Sequence, residues 1–182
     1  LQATLDSTCP IVGGVSADHR EFGTTYQFAG SEVLSDSLPI LLLWGEFQIS
    51  CGVASGWQPI GSTYTVTHSE GNVVYTINDR PILEVFADYW GDAEDLGVLG
   101  EFPLAVFPDP VNHEKFYLRA VFSTDSEAGS ATFAATVPNG ATVRMTIVLR
   151  DGIIDGSRDA MQRAYASFQG EPRGALVFSC AA

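Results

Sequence analysis

The chain has 182 residues, 46% hydrophobic and only 17% charged, which suits one sizeable core or two small ones and excludes a disordered polymer. Its 22 acidic and 9 basic residues give a net charge of −13, which repels nucleic acid and anionic membrane surfaces; a solvated acidic exterior is the simplest use of that charge. The longest apolar run, Leu38 to Trp44, contains Pro39 and is too short to span a bilayer, so no membrane insertion is expected.

Three cysteines, Cys9, Cys51 and Cys180, form an odd set without C-x-x-C spacing. That argues against a disulfide framework or zinc ribbon and for buried thiols in a reducing, cytoplasmic setting. The first residue is not methionine, and the apolar run Ala175 to Phe178 lies close to the last residue. Both features lead us to expect a fragment of a longer product.

Short β-type runs punctuated by glycine fill the first half. Cys9 to Val12 reads as an apolar strand broken at Gly13-Gly14, and Thr24 to Phe28 as a second. Leu38 to Trp44 is apolar enough to predict a strand buried on both faces, and Glu46 to Ala54 continues the pattern. In Gly61 to Thr67, threonines 63, 65 and 67 alternate with Tyr64 and Val66, marking a sheet with unlike faces. Glu70-Gly71-Asn72 predicts a turn into Val73 to Ile77, hence a hairpin.

The first helix is expected after Asn78-Asp79, with Asp79 as cap and Pro81 in the first turn. Ile82, Leu83, Val85, Phe86, Tyr89 and Trp90 fall on one stripe, and Gly91 supplies the stop. Residues 92–100, acidic and rich in glycine, form the best internal boundary. The expected organisation is an N-terminal half over 1–91, this linker, and a C-terminal half over 101–182.

Strands resume over 115–124, where Phe116, Leu118, Ala120 and Phe122 share one face and Tyr117, Arg119 and Val121 the other. In 142–150, Val143, Met145, Ile147 and Leu149 oppose Arg144, Thr146, Val148 and Arg150. Pro138-Asn139-Gly140 between them is a strong turn signal. A second helix is predicted from Asp155 to Gln169, burying Ala160, Met161, Ala164, Tyr165 and Phe168, followed by a last strand, Gly174 to Ser179. The fold class that follows is α+β: mainly antiparallel sheet with helices packed on outer faces, in the manner of a layered sandwich.

Chemical motifs are sparse. There is no G-x-S-x-G elbow, and no spacing ties His19, His68 or His113 to Cys180 as a nucleophile. Asp18-His19 is the one close acid–histidine pair, and no H-E-x-x-H spacing predicts a metal. Gly13-Gly14-Val15-Ser16 follows a strand but lacks the P-loop lysine and the dinucleotide fingerprint, so no cofactor is expected. Arg119 and Arg144 stand mid-strand among apolar neighbours: either each pairs with one of the many acids, or one awaits a ligand carboxylate. Trp57, in Gly56-Trp57-Gln58-Pro59, either walls a pocket or plugs the end of the core.

Several strings in order resemble one family. Pro10-Ile11-Val12-Gly13-Gly14-Val15-Ser16-Ala17-Asp18 with Thr25-Tyr26-Gln27-Phe28, then Gly56 to Gly61, Gly71 to Tyr75 and Arg80 to Val85, are similar to the N-terminal half of FIST domains (F-box and intracellular signal transduction). Phe102 to Ala105, Tyr117-Leu118-Arg119, Val137 to Gly140 and Ala175 to Cys180 are similar to the C-terminal half. The resemblance implies a non-enzymatic sensory module that binds a small molecule, with amino acids the leading proposal, and acts on a signalling output protein or domain. Candidate ligand contacts are Gly13, Gly14, Ser16, Asp18, Trp57, Arg119, Arg144 and Cys180. Two alternatives stay open: a hydrolase-like enzyme using Cys180, and a ligand-free interaction scaffold.

Overall fold

The computed structural model describes residues 10–18, 23–91 and 102–179. Cys9, His19 and Cys180, and the linker predicted over 92–100, lie outside the described residues. The chain divides into two compact units, Leu1–Val53 with Met161–Ala181, and Ala54–Ala160.

In the first unit, strands β1 (Tyr26–Ala29) and β2 (Glu32–Ser35) pair as an antiparallel hairpin across Gly30, whose φ of 61° suits the tight turn. The sequence signalled β1 but not β2. Four expected strands are not formed: residues 10–12, the run 38–44, the run 46–54 and the run 174–179 make no ladder. Leu38 to Trp44 stands 53–83% exposed apart from the proline, and Leu176 and Val177 are equally open. Apolar composition demands burial, but a strand buried on both faces needs neighbours and covering layers, and the described residues of this unit supply neither.

The second unit holds the remaining strands, β3 (Trp57–Glu70), β4 (Val73–Ile77), β5 (Arg80–Pro81), β6 (Leu104–Phe107), β7 (Tyr117–Arg119), β8 (Val121–Asp125), β9 (Ser130–Phe133) and β10 (Thr142–Val148). All pairings are antiparallel, in the order β7-β6-β10-β3-β4-β9-β8 with β5 on β4. The two end strands, β7 and β8, are joined by the single residue Ala120, so the sheet curls until its ends meet. The predicted strand over 115–124 is therefore one segment bent at Ala120, serving β6 before the bend and β9 after it. Long β3 switches likewise, from β10 to β4, through register shifts near Val66 and His68. Strands that change partner at bends and bulges are how a sheet turns a corner without leaving an open edge.

Among the described residues, two helices complete the α+β fold. Helix α1 (Ile82–Trp90) buries Ile82, Val85 and Phe86 in the same core as Val66, Val74, Ile77, Leu104, Phe133, Val143 and Met145. Gly91 ends it as expected, at φ 73° with its N–H on the Ala87 carbonyl. Its start differs from expectation. Asn78 and Asp79, both at positive φ, are the two loop residues of the β4–β5 hairpin, where Ile77 faces Arg80. Asp79 is therefore a turn residue and Pro81 takes the cap position without a side-chain hydrogen bond. The Gly129 carbonyl receives the Leu83 N–H instead.

Helix α2 spans Arg150–Ala166, beginning earlier than predicted. Its expected buried face is largely open: Met161 and Tyr165 are more than half exposed, and Gly156 is the buried residue. The contact is made by backbone rather than by apolar side chains. A Cβ on Gly156 would lie 2.8 Å from the Gly56 nitrogen, and one on Gly152 2.9 Å from the Gly56 carbonyl oxygen. Leu149, assigned to the apolar face of β10, is 62% exposed because the strand ends at Val148 and the helix follows directly.

Candidate functional site

The most unusual local geometry lies where β10 meets β3. Val143 faces Tyr64 and Met145 faces Ile60, so Gly61, Ser62 and Thr63 together stand opposite the single residue Arg144. Such a bulge frees backbone groups from the ladder and re-aims side chains. Gly61 sits at φ 66°, and a Cβ there would overlap the Tyr89 hydroxyl, so both the turn and the close approach require glycine. The freed groups find side-chain partners. The Gly61 carbonyl accepts Arg144 Nη2–H at 3.1 Å, and the Ser62 N–H donates to the Tyr89 hydroxyl at 3.1 Å.

Tyr89, from α1, also lies 3.2 Å from the Tyr64 hydroxyl. Burial first, then the hydrogen bond to Tyr89, pushes the Tyr64 phenol up to about 12. The raised value means that the folded state holds this proton more tightly than the unfolded chain. Stability from this group is therefore complete below pH 10 and lost as pH rises through about 12. Alkaline titration of tyrosinate absorbance should show one late-ionising group, absent in Tyr64→Phe.

Arg144 is half-buried, and its Nε is buried with no hydrogen-bond partner. Arg119 is more fully engaged: its Nε donates to the Thr136 carbonyl and Nη1 to the Leu118 carbonyl, both at 3.1 Å, while its guanidinium lies 4.3 Å over the Tyr117 ring. Among the described residues neither arginine pairs with a carboxylate; the ion pairs formed are Arg80 with Glu84 and Asp88, Arg158 with Asp155, and His68 with Glu70. Among the described residues, then, the simple alternative, that each arginine finds one of the many acids, is not observed.

The other sequence-derived candidates fall elsewhere. Trp57 is 7% exposed and meets Phe102 edge to face at 6.5 Å, and Phe102 stacks on Trp90 at 4.9 Å. In the first unit, the Ser16 hydroxyl accepts from Gln27 Nε2 and the Asp18 carboxylate accepts the Gly23 N–H at 2.6 Å. Gly13 faces open space, and Gly14 lies against the Phe178 ring. Arg144, Arg119 and Trp57 thus belong to one unit and Gly13, Gly14, Ser16 and Asp18 to the other. A hollow lined by Pro108, Asp109, Asn112 and Lys115 offers less. The Asp109 carboxylate is held by the Val111 and Asn112 N–H groups, which keep it below its usual range and fix it as a turn.

Sequence reasoning missed Gly61, Ser62, Tyr64 and Tyr89 as site residues. The signal was weak, a glycine inside a strand pattern, which marks a bulge or a close approach. Among the described residues no three His, Cys, Asp or Glu side chains gather within metal-binding reach, and no helix is long and apolar enough to cross a membrane.

Comparison with known proteins places the chain in a family. An uncharacterised protein of Mycobacterium tuberculosis is 30% identical over 181 residues, covering 93% of this chain and 46% of its own length. An uncharacterised Mycobacterium bovis protein is 28% identical over 177 residues with the same coverage. An uncharacterised Methanocaldococcus jannaschii protein is 30% identical over 86 residues, 45% of this chain and 17% of its own length. The chain thus spans about half the length of these mycobacterial relatives. No solved structure matches it. The FIST N domain model matches residues 1–80 and the FIST C domain model residues 83–182, and the chain therefore belongs to the FIST family of signal-transduction sensory domains.

Proposed function

We propose that this chain is the ligand-binding part of a cytoplasmic, non-enzymatic sensor, that its ligand is a small carboxylate-bearing metabolite such as an amino acid, and that binding regulates a signalling partner or attached output domain. The observation that carries this reading is a half-buried arginine, Arg144, with no acidic partner among the described residues. A guanidinium set mid-strand is costly unless something anionic meets it, and its planar fork matches a carboxylate. A sensor also requires that the ligand prefer one of two conformations, since equal affinity for both transmits nothing.

A thermal-shift screen against amino acids and simple carboxylates tests the reading. A ligand at about 100 times its dissociation constant should add roughly 2.7 kcal/mol to the wild type. Arg144→Ala should remove much of that gain. A wild type unmoved by the whole panel would overturn the ligand assignment and favour the scaffold alternative.

A further inference from the structure

Resting on the sensory reading above, we infer that the β3 bulge opposite Arg144 is the recognition end of the sensor, that it takes the oxyanion of a small carboxylate, and that occupancy is reported along α1 through the Tyr89 hydroxyl. Three observations converge on one residue, Gly61. Arg144 holds its carbonyl, the Tyr89 phenol packs against the face where a Cβ would stand, and Ser62, next in the chain, donates its N–H to that same phenol.

The group inventory of this corner is rich in donors. A guanidinium carries five N–H donors, and Arg144 is engaged through its bond to Gly61, with Nε buried and unpartnered. The Tyr64–Tyr89 contact uses one of two hydroxyl hydrogens, whichever ring donates, so one is left over. The nearby acid that bears on Tyr64, Asp88, is already held by Arg80 at 2.8 Å. Unused donors around a cation match an acceptor-only anion, and a carboxylate presents two oxygens to a guanidinium fork. Arg119, by contrast, spends its guanidinium on two carbonyls and a ring face, which favours Arg144 as the contact.

The same bonds supply a route for the signal. An incoming carboxylate competes with the Gly61 carbonyl for Arg144, releasing the bulge, and the bulge is tied to α1 through Ser62 and Tyr89. One residue on, Trp90 stacks against Phe102 and packs edge to face against Phe86. Motion of Tyr89 therefore alters the surroundings of an indole, which fluorescence reads.

The experiment titrates the 182-residue chain with sodium acetate and with L-aspartate, using sodium chloride at equal ionic strength as control, and follows thermal stability and tryptophan emission together. Both readouts should move in the wild type, and the emission change should vanish in Trp90→Phe. Arg144→Ala should weaken binding at least ~10-fold, as expected for a lost charge-assisted hydrogen bond, and Arg119→Ala should stay within ~2-fold. Tyr89→Phe, verified as folded by circular dichroism, should lose the emission change while its binding weakens far less than in Arg144→Ala. An unchanged emission response in Tyr89→Phe overturns the α1 route while the sensor reading survives. Binding lost in Arg119→Ala but kept in Arg144→Ala overturns the bulge as recognition end. No response of the wild type to the probes, with a response to other metabolites of the panel, overturns the simple-carboxylate assignment alone; silence across the whole panel takes the sensory reading with it.

Discussion

Gly56→Ala should lower the stability of the chain by about 3 kcal/mol, read as a lower urea midpoint at unchanged slope. A Cβ at residue 56 would lie 2.6 Å from both the Cα and the nitrogen of Ile153 and 2.7 Å from the Gly152 carbonyl carbon. All three are backbone atoms of α2, so no flexible side chain can swing away. Either the helix is pushed off or its first turns distort. Gly156→Ala probes the contact from the other side, where the added methyl would meet the Gly56 nitrogen at 2.8 Å and the Ser55 carbonyl carbon at 2.9 Å. There the clash is opposed by the better helix propensity of alanine, about 1 kcal/mol, so a smaller net loss is expected. Gly13→Ala is the control: nothing lies within 4 Å of its Cβ position, and its effect should fall within about 0.5 kcal/mol of zero. A tolerated Gly56→Ala would mean that α2 does not seat on residues 55–56 in solution.

The second large effect is expected at Asn139. Its Oδ1 accepts the Ser69 N–H at 2.6 Å, and its Nδ2 donates to the Ser69 carbonyl at 2.9 Å. The side chain thus acts as a surrogate strand where β3 changes register near His68 and Ser69. Ser69 is 6% exposed, so water cannot readily replace either bond. Asn139→Ala leaves a buried donor and a buried acceptor without partners, at about 1–3 kcal/mol each, for a total of roughly 2–6 kcal/mol. Hydrogen exchange at the Ser69 amide should accelerate in parallel. Asn139→Asp keeps an acceptor for the N–H but sets a carboxylate oxygen against the Ser69 carbonyl, so it should recover only part of the loss. Wild-type stability in Asn139→Ala would show that the Ser69 hydroxyl, bonded to the Val137 carbonyl at 2.7 Å, holds this corner by itself.

Much of the second unit was legible in the residues. Alternating Tyr64 and Val66 face inward while threonines 63, 65 and 67 face out, and Gly71-Asn72 closes the β3–β4 hairpin as its turn chemistry requires. The stripe on α1, its stop at Gly91 and the turn at Pro138 to Gly140, where the Ala141 N–H reaches the Pro138 carbonyl, were all expected. These features depend on sterics and periodicity within a few residues, which the sequence states directly. The candidate site was legible only as Arg144, a charge among apolar neighbours. Its companions were not: Tyr89 read as one more apolar position on a helix stripe, and Gly61 as the start of a strand.

What the sequence by itself determined, then, is the kind of several local elements of the second unit and the family to which their order belongs. Tertiary structure decided which strands meet and therefore what each special residue does. Closure of the sheet at Ala120 and the glycine seat of α2 depend on partners outside the local segment, and Asn78-Asp79 serves as a hairpin turn rather than a helix cap because β5 pairs back onto β4. The apolar run Leu38 to Trp44 marks the boundary between the two kinds of information. Its composition states a demand for burial, but only neighbouring backbone can turn that demand into a strand, because hydrophobic burial is non-directional and a ladder is not.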